Sequence, residues 1–409
     1  MAKFFRKMAI CLCILLTIFG ILVFIETPFL AISNLSSTVN ASFEEIEDIN
    51  KNHIFGKFVV ADYNKEQSVS LGNNQQMQVS LKFLNLFTIK TFNVNNEEIE
   101  VYPGGNVIGF TLNGDGVVVL GKSAVSTESG NIETTKNSDI QNGDLIKKIE
   151  DEQVQSIADI YRITNKIENA NRELSISLTR NGREIDTTIK NVLDKNSGIY
   201  KLGLWVKDDV SGIGTLTYIR EDNNRFGALG HSIYDNDTKT IYDISDGDAF
   251  NCTVIGINKG TKGKAGELKG LFVQGKNNKI GKIDKNCEYG VFGEIDLEKV
   301  NYTQKPLKAG GRLSAKQGKA YIRCCLDGKN YNDYEIEIIK TNYQSRSSEK
   351  SMVIKITDEE LLKKTGGIVQ GMSGSPIIQG GKVVGAVTHV FLNDATKGFG
   401  IYLDWMINN

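Results

Sequence analysis

Gly371-Met372-Ser373-Gly374-Ser375-Pro376, continued by Ile377-Ile378-Gln379-Gly380-Gly381-Lys382-Val383-Val384-Gly385-Ala386-Val387, is the stretch on which the reading of this chain turns. A serine is framed by glycines. Small residues let the backbone bend until the N–H groups of Gly371 and Ser373 converge on one point, where they would meet a developing oxyanion. Ser373 then reads as a nucleophile, with Gly371 and Ser373 as its oxyanion hole. Pro376 stiffens the exit into a strand, and Gly380-Gly381 closes a hairpin onto a second apolar run. The plain alternative is a glycine-rich turn between two strands.

A serine nucleophile needs a base, and the base needs an orienting group. The chain has three histidines. His53 lies far in sequence from the glycine-framed serine. His389 sits on the strand after Ser373, in Gly385-Ala386-Val387-Thr388-His389, where a pocket-wall or structural role is expected. His231, in Leu229-Gly230-His231-Ser232, precedes Ser373 as the histidine precedes the serine in chymotrypsin-like chains, and it is the candidate base. For the orienting carboxylate, Asp235, Asp237, Asp243, Asp246 and Asp248 fall in a loop-like, solvated run. Asp358, in Thr357-Asp358-Glu359-Glu360-Leu361-Leu362, is the other candidate. Thr357 with Glu360 also forms a capping-box pattern and Gly366-Gly367 ends a short helix, so Asp358 stands between cap and catalysis.

At 409 residues the chain has room for two or three domains. A net charge of −1 argues against nucleic acid and against an electrostatic membrane partner. The six cysteines form no C-x-x-C pair and no Cys/His spacing of a zinc site, so neither metal nor cofactor is expected. Cys324 and Cys325 read as core residues. At the N-terminus Lys3, Arg6 and Lys7 precede an uncharged apolar run from Met8 to Ile25. Its length exceeds a usual signal-peptide core and just reaches a membrane span. Residues 1–25 are therefore expected to be a signal anchor or signal peptide, with Ala31-Ile32-Ser33 as a cleavage candidate. The remainder of the chain would be exported. Asn34-Leu35-Ser36 and Asn40-Ala41-Ser42 match glycosylation sequons, which count only in a eukaryotic secretory pathway.

Residues 26–95 read as a juxtamembrane region with two or three strands. Over 96–195 the pattern changes. Gly116-Val117-Val118-Val119-Leu120 is an apolar run bounded by glycine, and Gly143-Asp144-Leu145-Ile146 opens a strand. Ile157, Ile160, Ile163 and Ile167 mark one helix stripe, and Asn181-Gly182 joins two alternating runs as a hairpin. This region resembles a PDZ domain. The resemblance implies an α+β fold whose Gly116, Val117, Val118 and Val119 receive a peptide C-terminus on backbone N–H groups. Residues 196–409 are rich in strands and glycine, which favours a mainly β, barrel-type domain. The Gly/Lys-rich stretch 256–275 completes no P-loop and reads as a surface loop.

Phe226-Gly227-Ala228-Leu229-Gly230-His231, Ile356-Thr357-Asp358, the run Thr365 to Pro376 and Gly385 to Phe391 resemble the SpoIVB peptidase family (serine peptidase family S55) of endospore-forming bacteria. The likeness extends to the order anchor, PDZ domain, trypsin-like peptidase domain. It implies a triad of His231, Asp358 and Ser373. It further implies export from the forespore into the space between the forespore and mother-cell membranes. There the protein would cleave itself and then a regulator of an intramembrane metalloprotease, releasing a late mother-cell sigma factor. The rival from another class is a catalytically inert PDZ signalling scaffold.

Overall fold

The structure, a computed structural model, describes residues 6, 8, 10, 12–17, 20, 38–41, 45–47, 59–63, 69–71, 74–83, 85–95, 98–180, 182–235, 241–261, 263–300, 304–328, 330–342, 344 and 346–409. His53, Asn181, Asp237 and the 31–36 segment lie outside them, as does much of the apolar run 8–25. Residues 12–17 of that run are helical. Among the described residues no helix is long and apolar enough to cross a membrane.

The chain is built mainly of β-strands. Before residue 96, Thr38–Asn40, Phe87–Asn95, Asn74–Phe83 and Val59–Tyr63 lie side by side, and Val69–Leu71 adds to Asn74–Phe83. That is more strand than the two or three expected over 26–95. Alternation explains the face chosen: Met77, Val79 and Leu81 are buried with Phe92 and Val94. A Lys382–Glu45 ion pair at 2.5 Å ties this part to the Ser373 hairpin.

A small α+β unit follows. Leu145–Ile149 and Arg183–Lys190 flank Glu173–Arg180, whose Leu174, Ile176 and Leu178 alternate into a core with Val117, Val119, Ile146 and Ile163. Asp144 is fully buried and closed by Arg180 at 2.7 Å. The expected helix is Ile157–Thr164, started by a capping box between Ser156 and Asp159. Its stripe is only half used, because Ile163 is buried while Ile157 stays exposed.

Two closed circuits of pairing make up most of what remains. In the first, Val107–Lys122 pairs with Leu204–Arg220, which pairs with Arg225–Ala228. Arg225–Ala228 pairs with Gly290–Ile295, then Lys279–Cys287, then Ile244–Asn258, which returns to Val107–Lys122. In the second, Gly318–Cys325 pairs with Tyr331–Thr341, then Met352–Ile356, Asp394–Tyr402, Lys382–Phe391 and Pro376–Gln379, which returns to Gly318–Cys325. The first encloses Ile108, Phe110, Leu216, Phe226 and Val291; the second encloses Ile322, Ile336, Ile354, Ile377 and Val387. Cys324 and Cys325 are both buried.

The long strand Val107–Lys122 therefore serves two cores. Its first half completes the first circuit, although it precedes the α+β unit in sequence. Its second half, from Val117, packs within that unit. The stretch expected as a Gly/Lys surface loop contains a strand, Gly266–Phe272, paired with Ile244–Asn258. Leu268 in it is buried, because alternation turns it inward beneath Gly371.

Candidate active site

The two circuits each deliver one half of the site. Ser373 sits in the turn between Val369–Gln370 and Pro376–Gln379. Gly371 and Gly374 both have φ +94, a region that side chains avoid. A Cβ on Gly374 would lie 2.1 Å from the Thr215 carbonyl oxygen and 2.5 Å from the Leu229 nitrogen. Within this turn Met372 N donates to Val369 O, Gly374 N to Val387 O and Ser375 N to Met372 O. Among the described residues, no backbone carbonyl accepts from the Ser373 amide. The hairpin beyond closes at Gly380 and Gly381, φ +57 and +76, as a type I′ turn requires.

From the first circuit, Thr215 donates its amide to Ser373 O at 3.0 Å and its hydroxyl to Gly371 O at 2.6 Å. Thr217 donates its hydroxyl to Gly374 O at 2.8 Å. His231 follows Arg225–Ala228 on a sharp turn in which Leu229 has φ +70 and Gly230 φ +72. A leucine held there costs about 1–2 kcal/mol. The turn is pinned by Leu229 N donating to Thr215 O at 3.1 Å. Thr215 thus anchors both the histidine turn and the serine turn.

His231 Nδ1 lies 2.9 Å from the Ser232 carbonyl oxygen. A carbonyl only accepts, so Nδ1 carries the proton and Nε2 keeps its lone pair. Burial pushes the imidazole below its ordinary value, and nearby His389 acts the same way; the Ser232 bond and Glu349 oppose it. The ring is therefore neutral at neutral pH, as a base must be. A cavity of about 410 Å³ holds His231, Ser373, Gly371 and His389, walled by Ile213, Leu229 and Ile368. The Ser373 hydroxyl donates to Thr388 O at 2.8 Å. Rotation about the Cα–Cβ bond is needed to bring it to an acceptor nitrogen.

His389 stacks on His231, ring centroids 5.0 Å apart, and its Nε2 lies 3.2 Å from Glu349 Oε2. Neither the stack nor Glu349 was legible in sequence, because Ser347-Ser348-Glu349-Lys350 reads as a polar loop.

Asp358 is not among the residues that line this cavity. It is the N-cap of Glu359–Thr365: Oδ1 accepts from Leu361 N at 2.9 Å and Oδ2 from Glu335 N at 3.4 Å. The helix start takes one oxygen, and the strand Tyr331–Thr341 takes the other through Glu335 N. Of the other aspartates, Asp235 is buried near Lys207 rather than solvated, and Asp246 and Asp248 lie on the strand Ile244–Asn258. None of these lines the cavity.

The loop expected to receive a peptide terminus is at Gly116, Val117, Val118 and Val119. These residues run inside the strand Val107–Lys122, which pairs there with Leu145 and Ile146 on one edge and with Val206 and Lys207 on the other. Val118 is paired on both edges, Val117 with Ile146 and Val119 with Val206, and Gly116 lies just before these pairings. An open groove of about 500 Å³ lies instead along the helix Ile157–Thr164, lined by Tyr161, Leu202, Gly203, Leu204 and Trp205.

No curated protein matches the chain. Among solved structures, it is similar to the PDZ domain of an SdrC-like protein from Listeria monocytogenes, at 19% identity and a TM-score of 0.17. That likeness covers 22% of this chain and 87% of the other. The family model described as SpoIVB peptidase S55 matches residues 198–407, just over half of the chain. Those residues carry His231, the Ser373 turn and most strands of both circuits, and by that match the chain belongs to the SpoIVB peptidase family S55.

Proposed function

We propose that this chain is a serine endopeptidase in which Ser373 attacks a peptide carbonyl and His231 Nε2 takes the hydroxyl proton, later returning it to the leaving amine. The amides of Gly371 and Ser373 would hold the oxyanion. The observation that carries this reading is the meeting of His231 and Ser373, from separate circuits, in one cavity. The two circuits of pairing support a trypsin-like pair of barrels with the site in the cleft between them. Ser232 O keeps His231 in the tautomer a base needs. Asp358 acts on the site at one remove in this proposal, by capping the helix that leads into Gly366–Gly371.

Family membership supports protein substrates. The finer reading follows the resemblance: an exported, membrane-anchored signalling peptidase of sporulation, acting between the forespore and mother-cell membranes. It would cleave itself and a regulator of an intramembrane metalloprotease. The α+β unit is proposed as a PDZ domain whose peptide would lie in the groove at Leu202–Leu204. Gly203, at φ +63, turns the chain there.

The test is to incubate the full chain as wild type and as Ser373→Ala and map new N-termini by mass spectrometry. Fragments from wild type alone, beginning before residue 96, are the expected result. If both stay intact and neither is labelled by a fluorophosphonate, the inert-scaffold reading replaces this one.

A further inference from the structure

The group that fixes the His231 tautomer is a backbone carbonyl, which bears no full charge. The imidazolium formed when Ser373 gives up its proton therefore needs charge from elsewhere. Among the described residues, the carboxylate that faces it belongs to Glu349. His389 stacks on His231 with 28° between ring planes and meets Glu349 Oε2 with Nε2 at 3.2 Å. A carboxylate only accepts, so His389 Nε2 carries the proton in this pair.

The segment bearing Glu349 is tied down at several points. Thr388 donates its hydroxyl to Glu349 O at 2.9 Å, and Ser351 N donates to Gly400 O at 2.9 Å. Ser351 also donates its hydroxyl to Ser348 O at 2.7 Å. Thr388 O is in turn the acceptor for the Ser373 hydroxyl. Two adjacent residues of one strand, Thr388 and His389, thus touch the nucleophile, the base and the carboxylate.

We propose that Glu349, acting through His389, is a positioning residue of the peptidase site: it supplies the negative charge that favours the His231 imidazolium and holds the ring on which His231 stacks. The proposal rests on the serine-peptidase reading above. With His389 neutral the pair bears one negative charge; with His389 protonated it bears none. In neither state does the pair bear a net positive charge. The hydrogen bond from His389 keeps the Glu349 carboxyl below its ordinary value, with His231 and Lys350 adding to the effect. Lys350 itself points to the Phe399 ring, 5.5 Å from its centroid. The charged and titratable groups that act on His231 are His389 and Glu349, with opposite signs.

The test is the pH dependence of fluorophosphonate acylation in the full chain, with Ser373→Ala as the blank. It reads the base of the free enzyme. In Glu349→Gln the plateau rate should fall about tenfold, and the acid limb should move to lower pH by roughly one unit, since one unit is a factor of ten in the protonation equilibrium. Glu349→Asp should restore part of both. In His389→Gln, whose amide still donates to Glu349, the acid limb should move the other way, to higher pH. An unchanged profile in Glu349→Gln overturns the proposal. So does a slower reaction whose limb stays in place or moves toward the value of an exposed histidine, which would mark a merely structural role. If Glu349→Gln does not fold, the direction of the limb in His389→Gln decides alone. Wild-type protein that shows no Ser373-dependent labelling fails the peptidase reading itself, and the inference with it.

Discussion

Thr215 and Ser373 join the two circuits: the Thr215 amide donates to the Ser373 carbonyl at 3.0 Å, from a strand of one circuit to the turn that opens a hairpin of the other. The Thr215 side chain adds a bond to Gly371 O at 2.6 Å, and the residue is fully buried. Replacing the hydroxyl with a methyl group keeps the shape and the amide bond but strands the Gly371 carbonyl. Thr215→Val should cost about 1–2 kcal/mol of stability, read as a shift in the urea midpoint. Ser373 acylation should slow as the turn loosens.

Gly374 admits no side chain. Its φ is +94, and a Cβ would press on the Thr215 carbonyl and the Leu229 nitrogen, both backbone atoms that hold the site. Gly374→Ala should abolish fluorophosphonate labelling. It should also lower stability by roughly 3 kcal/mol or more, in the range of severe backbone strain and overpacking. Chemical denaturation followed by tryptophan fluorescence would measure it.

Asp358 separates a cap from a triad acid. Asparagine caps a helix about as well as aspartate, whereas removing the side chain costs about 1 kcal/mol. Asp358→Asn should therefore keep acylation within a few-fold of wild type, and Asp358→Ala should lose about that much stability. A triad acid changed to asparagine would cost about 10⁴-fold in rate. Measuring both variants in one labelling assay distinguishes the two roles.

His231 sets a pH signature with a defined sign. Burial, the largest cause, holds its value below the ordinary imidazole value of about 6.5. Between the folded and unfolded values the unfolded chain binds more protons, so stability is full above about 6.5 and is lost as pH falls through the folded value. The acid limb of acylation should accordingly lie below pH 6.5. The urea midpoint should drop between pH 7.5 and 5.5, and His231→Gln should flatten that drop.

The turn that carries Ser373 was legible because it depends on local backbone freedom. The glycines at 371 and 374 announce a turn that only they can make, and Gly380-Gly381 announces the hairpin that follows. With three histidines to choose from, the order of His231 and Ser373 needed no long-range knowledge. The helix start at 357–360 was equally local, although the structure caps it with Asp358 itself rather than with a Thr357–Glu360 box.

What sequence could not reveal depends on pairing between distant segments. Val107–Leu112 looks like part of the α+β unit because it lies beside it in the chain, yet it pairs with Val210–Thr215 and Gly247–Asn251 of the first circuit. Gly116–Val119 resembles a glycine-bounded loop, but two neighbouring strands pair with Val117–Val119. Glu349 sits in a polar run that reads as solvent-facing, and only the closure of the second circuit carries it to His389. A strand's face is set by its own alternation, so sequence determined it. A strand's partners, and the side chains that meet across the cleft, follow from which distant edges are left to satisfy each other, and only the tertiary structure decided that.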